Sequence, residues 1–166
     1  AKQASFERGS YSTLVGAQYF PQRKEIQITA IGDSVALLFD EEKLVGGWPF
    51  CDPSGFKSRP TLLATLHQKN NFLTARDFRT RHKKTYSLRE YATPRLLCMT
   101  DAIGEWALNE SMTQSDGISQ LLSLKSSNEL RALVERERSA RRMRIDDSTV
   151  IMVSFDDKQN DEISDI

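Results

Sequence analysis

An α+β fold, built as an antiparallel two-sheet β-sandwich flanked by helices in α-β-β-α layers, is what this sequence predicts. Three observations carry that reading. Runs of β-branched and aromatic residues crowd the first forty positions, amphipathic helical pattern is confined to the second half, and two short apolar runs frame those helices. Strands first, then loops, then framed helices fit a sandwich and not alternating βαβ units. The composition agrees with one globular domain: 166 residues, 39% hydrophobic and 28% charged.

The first element is a predicted hairpin. Residues 12–20 (STLVGAQYF) and Glu25–Ile31 (EIQITAI) have strand composition, and the link PQRKE carries the Pro and charges of a turn. Residues 35–39 follow the Gly32-Asp33-Ser34 turn and extend the hairpin to an expected meander. Between 41 and 60, Gly46, Gly47, Pro49, Pro53, Gly55 and Pro60 predict irregular loop with one short strand at Leu44. Residues 61–66 have the pattern of a short helix, and 70–81, polar and mixed in period, are expected as loop.

The second half is clearer. Residues 95–100 (RLLCMT) have the length of a buried strand, and Asp101 stands at the N-cap position before AIGEWALNE. Helical pattern returns over 117–124 and again from 127 to about 142, where Ser126 and Glu129 have capping-box spacing. In this last helix Leu130, Leu133 and Val134 form one apolar stripe, with Glu129, Arg131, Glu135, Arg136, Glu137 and Arg138 on the remaining surface. Residues 148–155 (STVIMVSF) give the strongest strand signal of the chain. The domain is expected over 1–156, with an acidic tail over 157–166.

Composition also excludes. Lys+Arg 23 against Asp+Glu 23 leaves no net charge to draw the whole chain to nucleic acid or anionic membrane. No apolar window has the roughly 18 residues of a membrane span, and AKQASFERGS lacks a signal-peptide core, so a cytoplasmic protein with no membrane partner is expected. Cys51 and Cys98, far apart and outside any CxxC, point to reduced thiols; Cys98 in LLCM reads as buried. Eight bases against one acid over 57–84 read as a solvated loop, with attraction of a phosphorylated partner as the competing reading. Neither that run nor ARRMR (140–144) is interleaved with aromatics, so no nucleic-acid partner is expected. The ARRMR cations oppose the negative end of the last helix. His67 and His82 are isolated, and neither has a ligand's spacing.

Three acidic turns abut apolar strands: Gly32-Asp33-Ser34, Thr100-Asp101-Ala102 and Asp146-Asp147-Ser148-Thr149. Carboxylates at strand ends can converge on one edge of a sandwich, and such oxygen donors with waters suit Mg²⁺ or Mn²⁺. A pair of these ions can activate water for an in-line phosphoryl transfer. Each turn also has a plain structural explanation. Asp101 serves as a helix cap, Gly-Asp-Ser is a common tight turn, and an acidic pair before a strand is ordinarily solvated.

Taken together and in this order, the motifs resemble the metal-dependent protein phosphatases of type 2C. IGDSVALLF (31–39) resembles the family's Gly-Asp-Ser strand pair, LLCMTDAIGEWAL (96–108) its strand, Thr-Asp-Gly and helix, and IDDSTVIMV (145–153) its closing strand. GSYSTLVG (9–16) is similar to the Gly-Ser-Thr strand that precedes them. The resemblance implies Mg²⁺ or Mn²⁺ as cofactor, with Asp101 and Asp146 as metal ligands. It implies Asp33 and Glu105 as acids near an additional, weaker metal, and Asp147 as a turn group or a partner that orients a ligand. It further implies hydrolysis of phosphoserine or phosphothreonine in a phosphorylated protein substrate.

Departures from the family pattern set the expectations for this chain. The family's Asp-Gly-x-Gly-Gly turn, its upstream phosphate-gripping Arg and its Arg-x-x-Gly-Asp segment do not occur here, LREYATP (88–94) standing in place of the last. Ala102 stands where the family has Gly. The polar start without an initiator Met fits a fragment whose first strands are missing, the C-terminal two-thirds of such a domain. The chain alone is therefore expected to be inactive, its intact parent a phosphatase. The alternative is a catalytically silent phosphatase-like binding or regulatory module.

Overall fold

The computed structural model describes residues 9–113 and 115–155. Among the described residues nine strands form three antiparallel sheets. Strands β2 (Leu14–Phe20), β3 (Glu25–Ile31) and β7 (Lys83–Ser87) make a three-stranded sheet in the order β2-β3-β7. Strands β4 (Val35–Asp40), β5 (Lys43–Trp48), β8 (Pro94–Met99) and β9 (Val150–Ser154) make a four-stranded sheet in the order β5-β4-β8-β9. A two-residue pair joins β1 (Tyr11–Ser12) to β6 (Leu63–Ala64). Helix α1 (Phe78–His82) is one short turn; α2 (Asp101–Thr113), α3 (Gly117–Ser123) and α4 (Ser127–Ser139) follow β8.

Alternation along the strands assigns side chains to two apolar layers. In β3, Ile26 and Ile28 are buried while Gln27 and Thr29 are half-exposed, the period-two signature of a sheet with one covered face. Strand β4 is buried at every position from Val35 to Phe39. Its Ala36 and Leu38 join Ile26, Ile28, Leu88 and Leu96 between the sheets. Val35, Leu37 and Phe39 join Leu97, Met99, Ile103, Trp106 and Leu121 beneath the helices. A strand apolar on both faces requires a layer on each side, and β4 and β8 supply the shared middle of the molecule.

The predicted α+β antiparallel sandwich is present, and its helical cover is uneven. Among the described residues, the three longer helices all lie against the four-stranded sheet, and the three-stranded sheet is accompanied by the single turn α1. The expected meander is corrected. The hairpin β2–β3 forms with Leu14 opposite Ile31 and Phe20 opposite Glu25, but β4 leaves that sheet and pairs with β5 and β8. Gly32, at φ +104°, makes the crossing, and a Cβ there would sit 2.5 Å from Thr13 Cγ2. The hydroxyls of Thr13 and Ser34 close the crossing with a 2.8 Å hydrogen bond.

The middle segment is more ordered than its punctuation implied. Strand β5 runs six residues through Gly46 and Gly47 where loop was expected. Residues 61–66 hold the short strand β6 and not a helix, and Asn70 secures it through 2.9 and 2.8 Å bonds to the Ala64 backbone. Residues 70–81, expected as loop, carry the end of a 3₁₀ helix (His67–Thr74) and most of α1. Strand β7 was not foreseen: KKTYS is polar because it lies at a sheet edge, where only Tyr86 reaches the inter-sheet core. His82 is structural, held between Phe72 and Phe78, with Nδ1 3.0 Å from the Ala30 carbonyl.

In the second half the expected strands and helices form, the last helix ending at Ser139 and not near 142. The Ser126 hydroxyl accepts from the Glu129 amide at 3.3 Å and caps α4. The Glu129 carboxylate in turn accepts from Lys125 N, one residue earlier than a capping box requires. The acidic tail over 157–166 lies outside the described residues.

Candidate active site

Register brings the three acidic turns to one end of the four-stranded sheet. Val35 pairs with Met99, and Met99 pairs with Val150. Asp33 therefore precedes the start of β4 at the level where Asp101 follows the end of β8, and Asp146 and Asp147 enter the start of β9 beside them. Thr100 ties the last two turns together: its amide donates to Thr149 O at 3.2 Å, and its hydroxyl donates to Asp147 O at 3.0 Å. The Thr149 amide donates back to Thr100 Oγ1 at 3.0 Å.

Asp101 occupies the first residue of α2, one place later than the N-cap read from the sequence. The Thr100 carbonyl already accepts the first helical bond, from Gly104 N at 2.9 Å. Asp101 Oδ1 accepts from the Ala102 amide at 2.8 Å, so this acid lies at the positive end of the helix. Its other oxygen, Oδ2, is bound by the Arg144 guanidinium. Asp146 Oδ1 accepts from the Asp147 amide at 2.8 Å, and the Asp146 carbonyl is held by Arg138. Arg138 also reaches Ser148 Oγ at 3.0 Å. Glu105 lies one helical turn beyond Asp101, on the wall of a cleft of about 400 Å³ with Arg138, Arg141, Arg142 and Arg144.

The topology thus brings Asp33, Asp101, Asp146 and Asp147 toward one end of the four-stranded sheet. Among the described residues no group of three or more His, Cys, Asp or Glu side chains is arranged to hold a metal ion. Hard cations require several oxygen donors left available to them. Here both oxygens of Asp101 already accept hydrogen bonds, one of them from a fixed positive charge. As it stands, Asp101 offers such a site no free oxygen.

The arginines around these acids are what the sequence reading missed. ARRMR does not continue the helix: α4 ends at Ser139, Arg141 takes φ +58°, and the chain turns back. Arg142 donates to both oxygens of Glu137, from Nε at 2.7 Å and Nη2 at 3.0 Å, while Arg136 and Trp106 Nε1 add bonds of 2.9 and 3.2 Å. Glu137, assigned above to the exposed surface, is only 3% exposed. Hydrogen bonds from Arg142, then Arg136 and Trp106, outweigh its burial and hold its pKa at about 2. The signal was available in the spacing, since Glu137 continues the stripe of Leu130, Leu133 and Val134 at the next helical turn.

The basic run over 57–84 is largely exposed, as a solvated segment would be. No helix among the described residues is long and apolar enough to cross a membrane.

No protein-family model matches the sequence, and no curated protein matches it. Two phosphatase structures are among the solved structures similar in fold. One is the photosystem II phosphatase PBCP, with a TM-score of 0.49 and 12% identity over 79% of this chain and 46% of that one. The other is the phosphatase domain of the cell fate determinant SpoIIE from Bacillus subtilis, with a TM-score of 0.48 and 16% identity over 89% of this chain and 60% of that one. The chain spans about half the length of these structures, and such identities carry over no residue's role.

Proposed function

We propose that the whole protein hydrolyses phosphoserine or phosphothreonine esters in proteins with Mg²⁺ or Mn²⁺, and that these 166 residues supply the acidic end of its site without turning over substrate alone. The observation that supports this is the alignment of Val35, Met99 and Val150, which carries Asp33, Asp101 and Asp146 to one end of a single sheet. Three turns separated in sequence share that end in the order of the type 2C motifs they resemble. Because the described acids do not complete a metal centre, this reading requires a further ligand from outside these residues and the departure of Arg144 from Asp101. The test is phosphopeptide hydrolysis by the whole protein with and without Mn²⁺, and with Asp101→Asn and Asp146→Asn. Each substitution is expected to lower the rate by about 100-fold or more. Undiminished turnover in both variants would overturn the assignment.

The Asp101–Arg144 pair favours a second reading, a silent phosphatase-like module that binds a partner while its acids serve as turn formers. A whole protein without Mn²⁺-dependent turnover would select it.

A further inference from the structure

The most basic part of the chain is fastened beside its acidic turns. Residues 57–84 carry eight Lys or Arg against one acid, Asp77. Three anchors place this segment. At its start, the 3₁₀ turn Pro53–Lys57 packs on the first turns of α2, where a Cβ on Gly104 would lie 3.3 Å from Phe56 Cζ. In its middle, β6 pairs with β1, which runs directly into Thr13 and its hydrogen bond to Ser34. At its close, His82 Nδ1 lies 3.0 Å from Ala30 O, and Lys83 stands opposite Thr29. Gly104, Ser34 and Ala30 all belong to the end of the sandwich that carries Asp33 and Asp101. The topology therefore sets a basic rim beside that acidic end.

Much of this positive charge is uncompensated. Arg81 pairs with Asp77 at 2.6 Å, and Asp52 stands near Lys57. Lys69 donates to the neutral Tyr11 hydroxyl. Arg59, Arg76, Arg79, Lys83 and Lys84 have no carboxylate partner among the described residues, and all but Lys83 are exposed. Nor does any ion pair among the described residues join the segment to the acidic turns, since Asp101 takes Arg144 instead. Crowding like charges on one side of a fold costs stability, and a bound anion would offset that cost.

Nucleic acid fits this surface poorly. Phe72 and Phe78 are half-buried against His82, and Lys69 lies over the Tyr11 ring, so these rings are not open for bases to stack on. A continuous polyanion would also run onto Asp33, Asp101, Asp146 and Asp147. A short acidic stretch of polypeptide avoids both difficulties, and Leu73, 40% exposed, offers it an apolar contact within the same segment. We propose that residues 57–84 dock the Asp- and Glu-rich sequence that flanks the phosphorylated residue of a protein substrate, with Arg59, Arg76, Arg79 and Lys84 as the cations that meet it. This rests on the proposed phosphoprotein activity of the whole protein.

Fluorescence anisotropy of labelled peptides on the whole protein tests this without turnover. A phosphoserine peptide flanked by Glu is expected to bind about 10-fold more tightly than the same peptide flanked by Gln, the difference shrinking as salt rises. Arg76→Gln combined with Arg79→Gln should narrow that difference by about 5-fold. Arg131→Gln, an exposed cation of α4, should leave it as it is. Equal affinity for the two peptides overturns the inference. So does an equal narrowing by Arg131→Gln, which would assign the preference to overall charge. A single-stranded oligonucleotide of matched charge that binds more tightly than the Glu-flanked peptide would assign the surface to nucleic acid and overturn it as well. Hydrolysis is measured separately: an active protein without the preference defeats only this inference, and an inactive one that keeps it defeats only the proposed activity.

Discussion

Arg144 binds the carboxylate oxygen of Asp101 that faces away from the helix backbone, placing an internal cation where the acidic end of the sheet would otherwise hold unpaired negative charge. A divalent ion at Asp101 would have to compete with Arg144 for this oxygen. The 166-residue chain titrated with Mn²⁺ by calorimetry is expected to bind at most one ion, weakly, and Arg144→Gln should tighten that binding by about 10-fold. Two tight sites with phosphatase turnover in the unsubstituted chain would overturn this account.

Glu137 sets an acid limit on stability. Its pKa falls from 4.5 to about 2 because Arg142 above all, then Arg136 and Trp106, donate hydrogen bonds to its charged form. A carboxylate lowered on folding contributes stability that is complete above the unfolded value and is lost as pH falls through the folded one. The contribution is about 3 kcal/mol, disappearing between roughly pH 5 and pH 2. Urea unfolding at pH 7 and pH 3 measures it. Glu137→Gln should lose a comparable amount at pH 7 and show a flatter acid limb.

Tyr86 explains why a glycine stands at position 46 inside a strand. Its hydroxyl donates to Gly47 O at 2.7 Å and accepts from Gly47 N at 3.1 Å, and a Cβ on Gly46 would sit 2.5 Å from Tyr86 Cε1. Burial raises the pKa of the phenol. Gly46→Val is expected to destabilise the fold by about 2 to 3 kcal/mol through overpacking. Tyr86→Phe should cost about 1 to 2 kcal/mol, through the lost bonds to Gly47. Denaturant midpoints at constant slope check both values.

The two thiols should differ in reactivity. Cys51 is exposed, whereas Cys98 is half-buried between the sheets and burial pushes its pKa up. With a chromogenic disulfide at neutral pH, Cys51 is expected to react at least ~10-fold faster. Equal rates in the native chain would show that the inter-sheet layer opens readily.

What the sequence made legible follows what local chemistry encodes. The hairpin β2–β3, the strand-to-helix step at Met99 and Asp101, the cap at Ser126 and strand β9 all depend on neighbours within a few residues, and each was read within one or two positions. The partner of β4 was not, because an apolar run states that both faces are buried without stating by what. Strand β5 was hidden by Gly46, whose reason is a tyrosine forty residues away, and by Gly47, packed against Leu37, Phe50 and Cys51. The acidic turns were legible as candidates, and their common end of the sheet follows from strand order. The arginine on Asp101 was not legible, since it depends on how the chain doubles back after Ser139.

The two apolar layers share β4 and β8, whose alternate residues belong to different cores. Leu37 and Leu38 are adjacent in sequence and serve opposite sides of the molecule. Neither layer can open fully while the other keeps its share of these strands, so the helical side and the sheet side are expected to melt as one cooperative unit. The fraying available to this protein would then lie outside that pair: in α1, the β1–β6 pair and the outer edge of the three-stranded sheet.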